Sequence, residues 1–305
     1  MAKLAQIGAR LWQLTDARYR RFYWQRRCTD IPGRQRRTAR LAAALPRFEG
    51  ATTQADRSRI ASLDRDGFAV LDNVLPLGWL AALHAYFAGC EVADPYRPNS
   101  PGFVGPQNAP PGTHVAFVAA HRMARAPHVF DIVNHPAVLA TAAGMLGARP
   151  IASYMAAWWS LAAGDGEARH AELFHRDVDD WRFVKLFCYL TDVDEDAGPH
   201  VFVPGSHRIN RLTSIRRYSE SEIHAAFGAD CEKRFVGPAG TAFLENTYGF
   251  HRGCPPRSTP RLIFQVLYSL TPVVYGPRTP VCTIGRDGVP SHIDAHTNSV
   301  YCRAL

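Results

Sequence analysis

A helical N-terminal third followed by many short strands predicts a mainly β protein with added helices: a double-sheet jelly roll buttressed by its N-terminal helices. Three observations carry this prediction. Before residue 147 the apolar positions recur mostly at helical spacing. After it come short segments rich in aromatic and β-branched residues, at 151–161, 182–190, 201–203, 241–244 and 262–270. Turn formers such as Asp196-Ala197-Gly198-Pro199 and Pro204-Gly205-Ser206 separate several of them.

In chain order, Leu4, Ile7, Leu11 and Leu14, continued by Tyr19, Phe22 and Tyr23, indicate a first helix. Ile31-Pro32-Gly33 is expected to break it, and a second, basic helix is expected over 34–45. Residues 48–56 have the composition of a linker. A helix over 57–66 leads into the strand-like run Gly67-Phe68-Ala69-Val70-Leu71, and Pro76 opens a helix to about Gly89. Residues 91–113, with six prolines and three glycines, are expected to form a long loop and a candidate lid. Helices over 127–134 and 136–146 precede the strands. The expected organisation is a basic arm (1–50) and one jelly-roll domain (51–305). Within the domain, helical support covers 57–146, the barrel core 149–271, and a tail from 272 wraps the barrel surface.

Hydrophobic residues make up 47% of the 305, enough for a sizeable core, which excludes a disordered chain. The seven cysteines are odd in number and contain no C-x-x-C pair. This argues against a disulfide framework or structural zinc site and for a reducing compartment. With no apolar run of membrane-spanning length and no signal peptide, the expectation is a cytoplasmic protein. The net charge of +8 is concentrated: residues 1–47 hold 12 Lys/Arg against two Asp, leaving 23 basic and 25 acidic residues elsewhere. The arm is read first as helices packed on the barrel wall. Docking of nucleic acid, a carrier protein or an anionic membrane, or an organelle-targeting peptide, are the other readings.

The chemistry centres on His175-Arg176-Asp177. Residues i and i+2 of an extended strand face the same side, and a His from a later strand, His251, completes a two-His-one-carboxylate face suited to Fe(II). Arg261, ten residues on, offers a planar cationic fork to a carboxylate. Several strands separate His251 from the His-x-Asp pair, as expected if they sit on opposite sheets. Rival ligands exist in His170-Ala171-Glu172, His200 and His207, the last expected to steady the turn after Pro204-Gly205-Ser206.

These residues, together with Gly67 to Leu71, Leu190-Thr191-Asp192-Val193, Gly198-Pro199 and Pro204-Gly205-Ser206-His207, resemble the phytanoyl-CoA dioxygenase-like branch of Fe(II)/2-oxoglutarate oxygenases over about 66–270. The resemblance implies a cupin-like double-stranded β-helix. It places His175, Asp177 and His251 on iron and Arg261 on the distal carboxylate of 2-oxoglutarate, with O2 as co-substrate. It further implies hydroxylation coupled to release of succinate and CO2, and Asp177 argues against halogenation, because halogenating relatives lack that carboxylate. Where some relatives carry a Lys near the keto acid, this chain has Trp158-Trp159-Ser160. Tyr154, Trp158 and Thr191 are therefore candidates for the remaining 2-oxoglutarate contacts. Arg176, Gln in many relatives, is expected to line the substrate site or form an outer salt bridge. Tyr154, Trp158, Trp159, Tyr248 and Phe250 are candidates for an aromatic pocket. The expected substrate is a small metabolite or natural-product intermediate; the alternatives are a CoA- or carrier-linked acyl group, or a catalytically silent binding module.

Overall fold

The structure is a computed structural model that describes residues 13, 15–162, 168–286 and 288–305. The expected helical residues Leu4, Ile7, Leu11 and Leu14, and positions 163–167 of the loop before His175, lie outside the described residues.

Among the described residues the arm supplies helices α1 (Ala17–Gln25) and α2 (Ile31–Ala43). Pro32 does not break a helix here but starts one: the Asp30 side chain accepts from the Gly33 amide at 2.6 Å, and a proline in the first turn forfeits no helical hydrogen bond. Helix α3 (Gln54–Arg65) follows with a reciprocal Thr53–Asp56 capping box, three residues earlier than the composition indicated. Next come β1 (Phe68–Leu71) and α4 (Leu77–Ala88).

The 91–113 segment corrects the sequence expectation. It contains β2 (Glu91–Ala93) and β3 (Phe103–Val104), paired with each other, and β2 also pairs with β4 (Val115–Val118). The stretch is therefore the outer edge of a sheet and not a structureless lid. Its prolines fit this place, since edge strands tolerate missing donors.

Short helices α5 (Ala120–Met123) and α6 (Val129–Val133) and the longer α7 (Pro136–Leu146) complete the helical support. Then come β5 (Ile151–Ser160), β6 (Phe183–Tyr189), β7 (His200–Phe202), α8 (Glu220–Phe227), β8 (Lys233–Phe235), β9 (Ala242–Glu245), β10 (His251–Gly253) and β11 (Arg261–Ser269). Eight strands form the major sheet in the order β1-β9-β6-β11-β5-β4-β2-β3, and a minor sheet runs β10-β7-β8. The tail adds β12 (Cys282–Thr283) and β13 (Cys302–Arg303). The tail is more than a wrapping: Val289, Ile293, Val300 and Tyr301 join the main core, and the Met155 amide donates to the Tyr301 hydroxyl at 2.8 Å.

Alternation in the central strands sets both faces of the major sheet. Leu262, Phe264, Val266 and Tyr268 of β11, with Val184, Leu186 and Cys188 of β6, join the core that includes residues of α3, α4 and α7. Their neighbours Arg261, Ile263, Gln265, Lys185 and Phe187 take the other face, toward the minor sheet. Because both faces are buried, these strands read as near-continuous apolar runs. No helix among the described residues is long and apolar enough to cross a membrane.

Candidate metal centre and substrate cavity

His175 and His251 are direct cross-strand partners. The His175 amide donates to the His251 carbonyl at 3.0 Å, and the His251 amide returns the bond at 3.1 Å. This corrects the expectation of opposite sheets: the His-x-Asp segment lies along the β10 edge of the minor sheet. Side chains of directly opposed residues project to one side, so the two rings lie with centroids 4.3 Å apart. The Asp177 amide donates to the Thr247 carbonyl at 2.8 Å, which continues the alignment two residues on.

Both rings are oriented from behind. Nδ1 of His175 donates to the Leu173 carbonyl at 2.9 Å, and Nδ1 of His251 donates to the Gly249 carbonyl at 3.0 Å. That leaves each Nε2 lone pair turned to the shared space, 3.7 Å and 3.3 Å from the oxygens of Asp177. The three candidate ligand atoms all lie within 4.8 Å of one another. Two imidazoles and one carboxylate with an open side fit Fe(II).

The electrostatics fit a dication as well. Burial pushes the Asp177 carboxyl up, but Lys185 and then His251 outweigh it and hold the group well below the usual carboxylate range. Burial, then the neighbouring His251, keep His175 neutral at ordinary pH. Burial lowers His251 too, yet Asp177 more than offsets it, so its pKa lies above the usual value. At pH below that raised value, His251 and Asp177 of the metal-free protein hold a proton where a metal would bind. A raised His pKa stabilises the fold at low pH, and that contribution fades as pH rises through the folded value. Metal affinity moves the opposite way. It is expected to climb about tenfold per pH unit through the mildly acidic range, with one proton released per metal, and to level off above the His251 pKa. Anaerobic Fe(II) titrations across that range check this; a flat profile contradicts it.

Sequence reasoning missed several residues around the triad. Lys185, on β6, donates to Asp177 Oδ2 at 2.6 Å and pairs with Asp179 at 2.9 Å. Fully buried Glu245, on β9, meets His200 Nε2 at 3.0 Å. Burial raises the Glu245 carboxyl to about 8 and lowers His200 well below its usual value, so both are neutral near pH 7 and the carboxyl O–H donates to the ring. The signal for them was present: a polar residue at an alternate position of an otherwise apolar strand must face an interior site or a partner.

Arg261 opens β11 opposite Ser160 and is 3% exposed. Its Nη2 donates to Ser160 Oγ at 3.0 Å and its Nη1 donates to the Gly198 carbonyl. Gly198 has φ +71°, and a Cβ there would stand 2.4 Å from the Cys254 carbonyl oxygen, so only glycine fits this turn. Neither contact is a carboxylate, and Nε is buried without a hydrogen-bond partner among the described residues. A guanidinium held this way lacks the anion that would offset its burial.

Arg261 and the triad line one cavity of about 350 Å³. Tyr154, Trp158 and Gln265 line it from the major sheet; Phe117, stacked on Trp158 at 5.2 Å, and Tyr275 contribute further wall. The remaining expectations are corrected here. Thr191 stands outside the cavity and accepts from the Leu262 amide at 3.1 Å. Trp159 points to the opposite face of β5 and joins the main core, Phe250 is buried behind the minor sheet, and Tyr248 lines a separate pocket. Of the 91–113 segment, Tyr96 alone reaches the cavity. Arg176 does not line the cavity and forms no salt bridge among the described residues: it donates to the carbonyls of Tyr248 (2.7 Å), Ser206 (3.0 Å) and Arg211 (3.2 Å). Among the rival ligands, His170 stacks on Tyr96, Glu172 pairs with His114, and His207 bonds the Asp64 carbonyl, not its own turn.

The model of the phytanoyl-CoA dioxygenase (PhyH) family matches residues 63–260, about two-thirds of the chain. The chain belongs to this family. As a member it is a non-haem iron oxygenase dependent on 2-oxoglutarate. Among solved structures, EctD from S. alaskensis, with 2-oxoglutarate and 5-hydroxyectoine, is 17% identical, with 86% of this chain and 94% of that chain covered and a TM-score of 0.53. The epimerase SnoN from nogalamycin biosynthesis, in complex with Fe3+, alpha ketoglutarate and nogalamycin RO, is 20% identical. That match covers 70% of this chain and 83% of the other, with a TM-score of 0.49. The likeness to EctD shows the shared jelly-roll fold. No curated protein matches.

Proposed function

We propose that this family member hydroxylates a small metabolite or natural-product intermediate, with His175, Asp177 and His251 holding Fe(II) and Arg261 binding 2-oxoglutarate. The observation that carries the reading is the opening of all four residues onto one cavity. When bound, iron and 2-oxoglutarate supply O2 activation and C–H oxidation, with release of succinate and CO2.

The protein's own residues do the rest. Leu173 and Gly249 carbonyls fix the imidazole tautomers, and Lys185 holds one Asp177 oxygen so that the other is free to ligate. Arg261, steadied by Ser160 and Gly198, meets the keto acid's distal carboxylate with a rigid fork. Trp158, Phe117, Tyr154 and Tyr275 form an aromatic wall that excludes water and suits a ring or apolar framework. Gln265, 7% exposed, directs an amide without a hydrogen-bond partner among the described residues into this space, where it reads a polar group of the substrate.

A succinate-release screen over metabolite pools, with the oxidised product identified by mass, tests the reading. Loss of the coupling between succinate and an oxygenated product in every pool, with uncoupled turnover alone, would count against it. With a substrate in hand, Gln265→Leu is expected to raise its KM roughly 5- to 150-fold, from the about 1–3 kcal/mol cost of an unmet buried polar group. Metal and 2-oxoglutarate binding should stay unchanged. An unchanged KM removes Gln265 from substrate recognition.

A further inference from the structure

The N-terminal arm precedes the family-matched region, yet its contacts converge on the segments that carry the metal-ligand candidates. Arg34 of α2 is 4% exposed and has no carboxylate among its hydrogen-bond partners. Its Nη2 donates to the carbonyls of Asp180 at 2.7 Å and Trp181 at 3.3 Å, three and four residues beyond Asp177. Its Nη1 donates to the side chain of Gln25 at 2.8 Å, and Gln25 in turn donates to the Val178 carbonyl. The Thr38 hydroxyl reaches the Trp181 carbonyl at 3.2 Å. Four carbonyl contacts thus tie the arm to three of the four residues that follow Asp177.

The same guanidinium lies over the Tyr248 ring at 4.5 Å, three residues before His251. Arg176, between His175 and Asp177, contacts that ring at 5.4 Å and bonds the Tyr248 carbonyl. Tyr248 is therefore shared between a cation of the arm and a cation of the His-x-Asp segment. A helix that only covered apolar surface would not bury a guanidinium, which costs free energy unless fixed, directional partners receive it. Here the partners include the backbone carbonyls that follow Asp177 and the Tyr248 ring of the segment that leads to His251.

We propose that the N-terminal arm is a working part of the metal site, with Arg34 as a positioning residue that holds the Asp177 segment and the His251 turn at metal-binding spacing. The proposal rests on the reading of His175, Asp177 and His251 as iron ligands. It makes the arm a support of the centre, in place of a detachable tether for nucleic acid, a carrier protein or a membrane.

The test uses the full chain. Arg34→Met is expected to weaken anaerobic Fe(II) binding about tenfold or more, the scale found for outer partners of metal ligands. In the metal-free protein it should also speed hydrogen exchange at residues 177–181 and 247–251, with the central strands protected as in wild type. Arg36→Met removes an equal charge from an exposed position of the same helix and is expected to behave as wild type. Wild-type Fe(II) affinity and exchange in Arg34→Met overturn the proposal and leave the function untouched, whereas absence of Fe(II) binding in the wild-type protein sinks the function itself. If Arg34→Met does not fold, Arg34→Lys decides: folded with several-fold weaker Fe(II) binding supports the role, and folded with wild-type affinity overturns it.

Discussion

Asp177→Ala is expected to abolish succinate formation while leaving the fold intact. The fold survives because Lys185 keeps its second partner, Asp179, at 2.9 Å. Removing Asp177 therefore does not strand the buried ammonium, the situation that costs about 3–5 kcal/mol in buried pairs. The site loses its one ligating carboxylate and the negative charge best placed for a dication, leaving two imidazoles. Since disturbing an outer partner of a ligand already costs about 10- to 100-fold in affinity, loss of the ligand itself should exceed that range. Anaerobic Fe(II) titration with a parallel melting curve reads both expectations. Wild-type Fe(II) affinity in this variant would remove Asp177 from the metal site.

Arg261→Met is expected to separate 2-oxoglutarate binding from both metal binding and stability. Its guanidinium is buried against a hydroxyl and a carbonyl with no counter-anion in contact, so an apolar side chain of similar length costs the free protein little. The keto acid, by contrast, loses the fork that offsets its carboxylate. Truncating one partner of a buried charge pair costs about 2–5 kcal/mol, or roughly 30-fold to several-thousand-fold in 2-oxoglutarate affinity. Fe(II) affinity without the keto acid should be unchanged, and the melting-temperature rise that 2-oxoglutarate produces in wild type should vanish. Arg261→Lys should recover only part of the affinity, because an ammonium cannot form the two-point contact. A Met variant that still shows the full 2-oxoglutarate-dependent shift contradicts the assignment.

Much of this centre was legible in the sequence, for identifiable reasons. The long strands β6 and β11 are buried throughout and β5 at all but Tyr154 and Trp158, and all three are mostly apolar, so composition alone located them within a residue or two. His175, Asp177, His251 and Arg261 stood out because a His-x-Asp pair, a later His and an Arg ten residues on form a spaced pattern. Lys185, Glu245 and Gln265 did not, since each is one polar residue in an apolar run and its role depends on cross-strand partners distant in the chain. The minor sheet was harder still. Its strands β7, β8 and β10 have three residues each, too few for periodicity, so the direct pairing of His175 with His251 could not be read. Pro32 was misread as a breaker because the same residue that ends one helix is suited to the first turn of the next.

The measurement closest to the central claim is anaerobic absorption spectroscopy of the purified wild-type protein with Fe(II), before and after 2-oxoglutarate is added. A weak visible charge-transfer band should grow with 2-oxoglutarate, be missing in Asp177→Ala, and require much higher 2-oxoglutarate in Arg261→Met. A band of equal strength and equal 2-oxoglutarate dependence in all three proteins, or no band in the wild type, would contradict an iron site built from His175, Asp177 and His251 with its keto acid on Arg261.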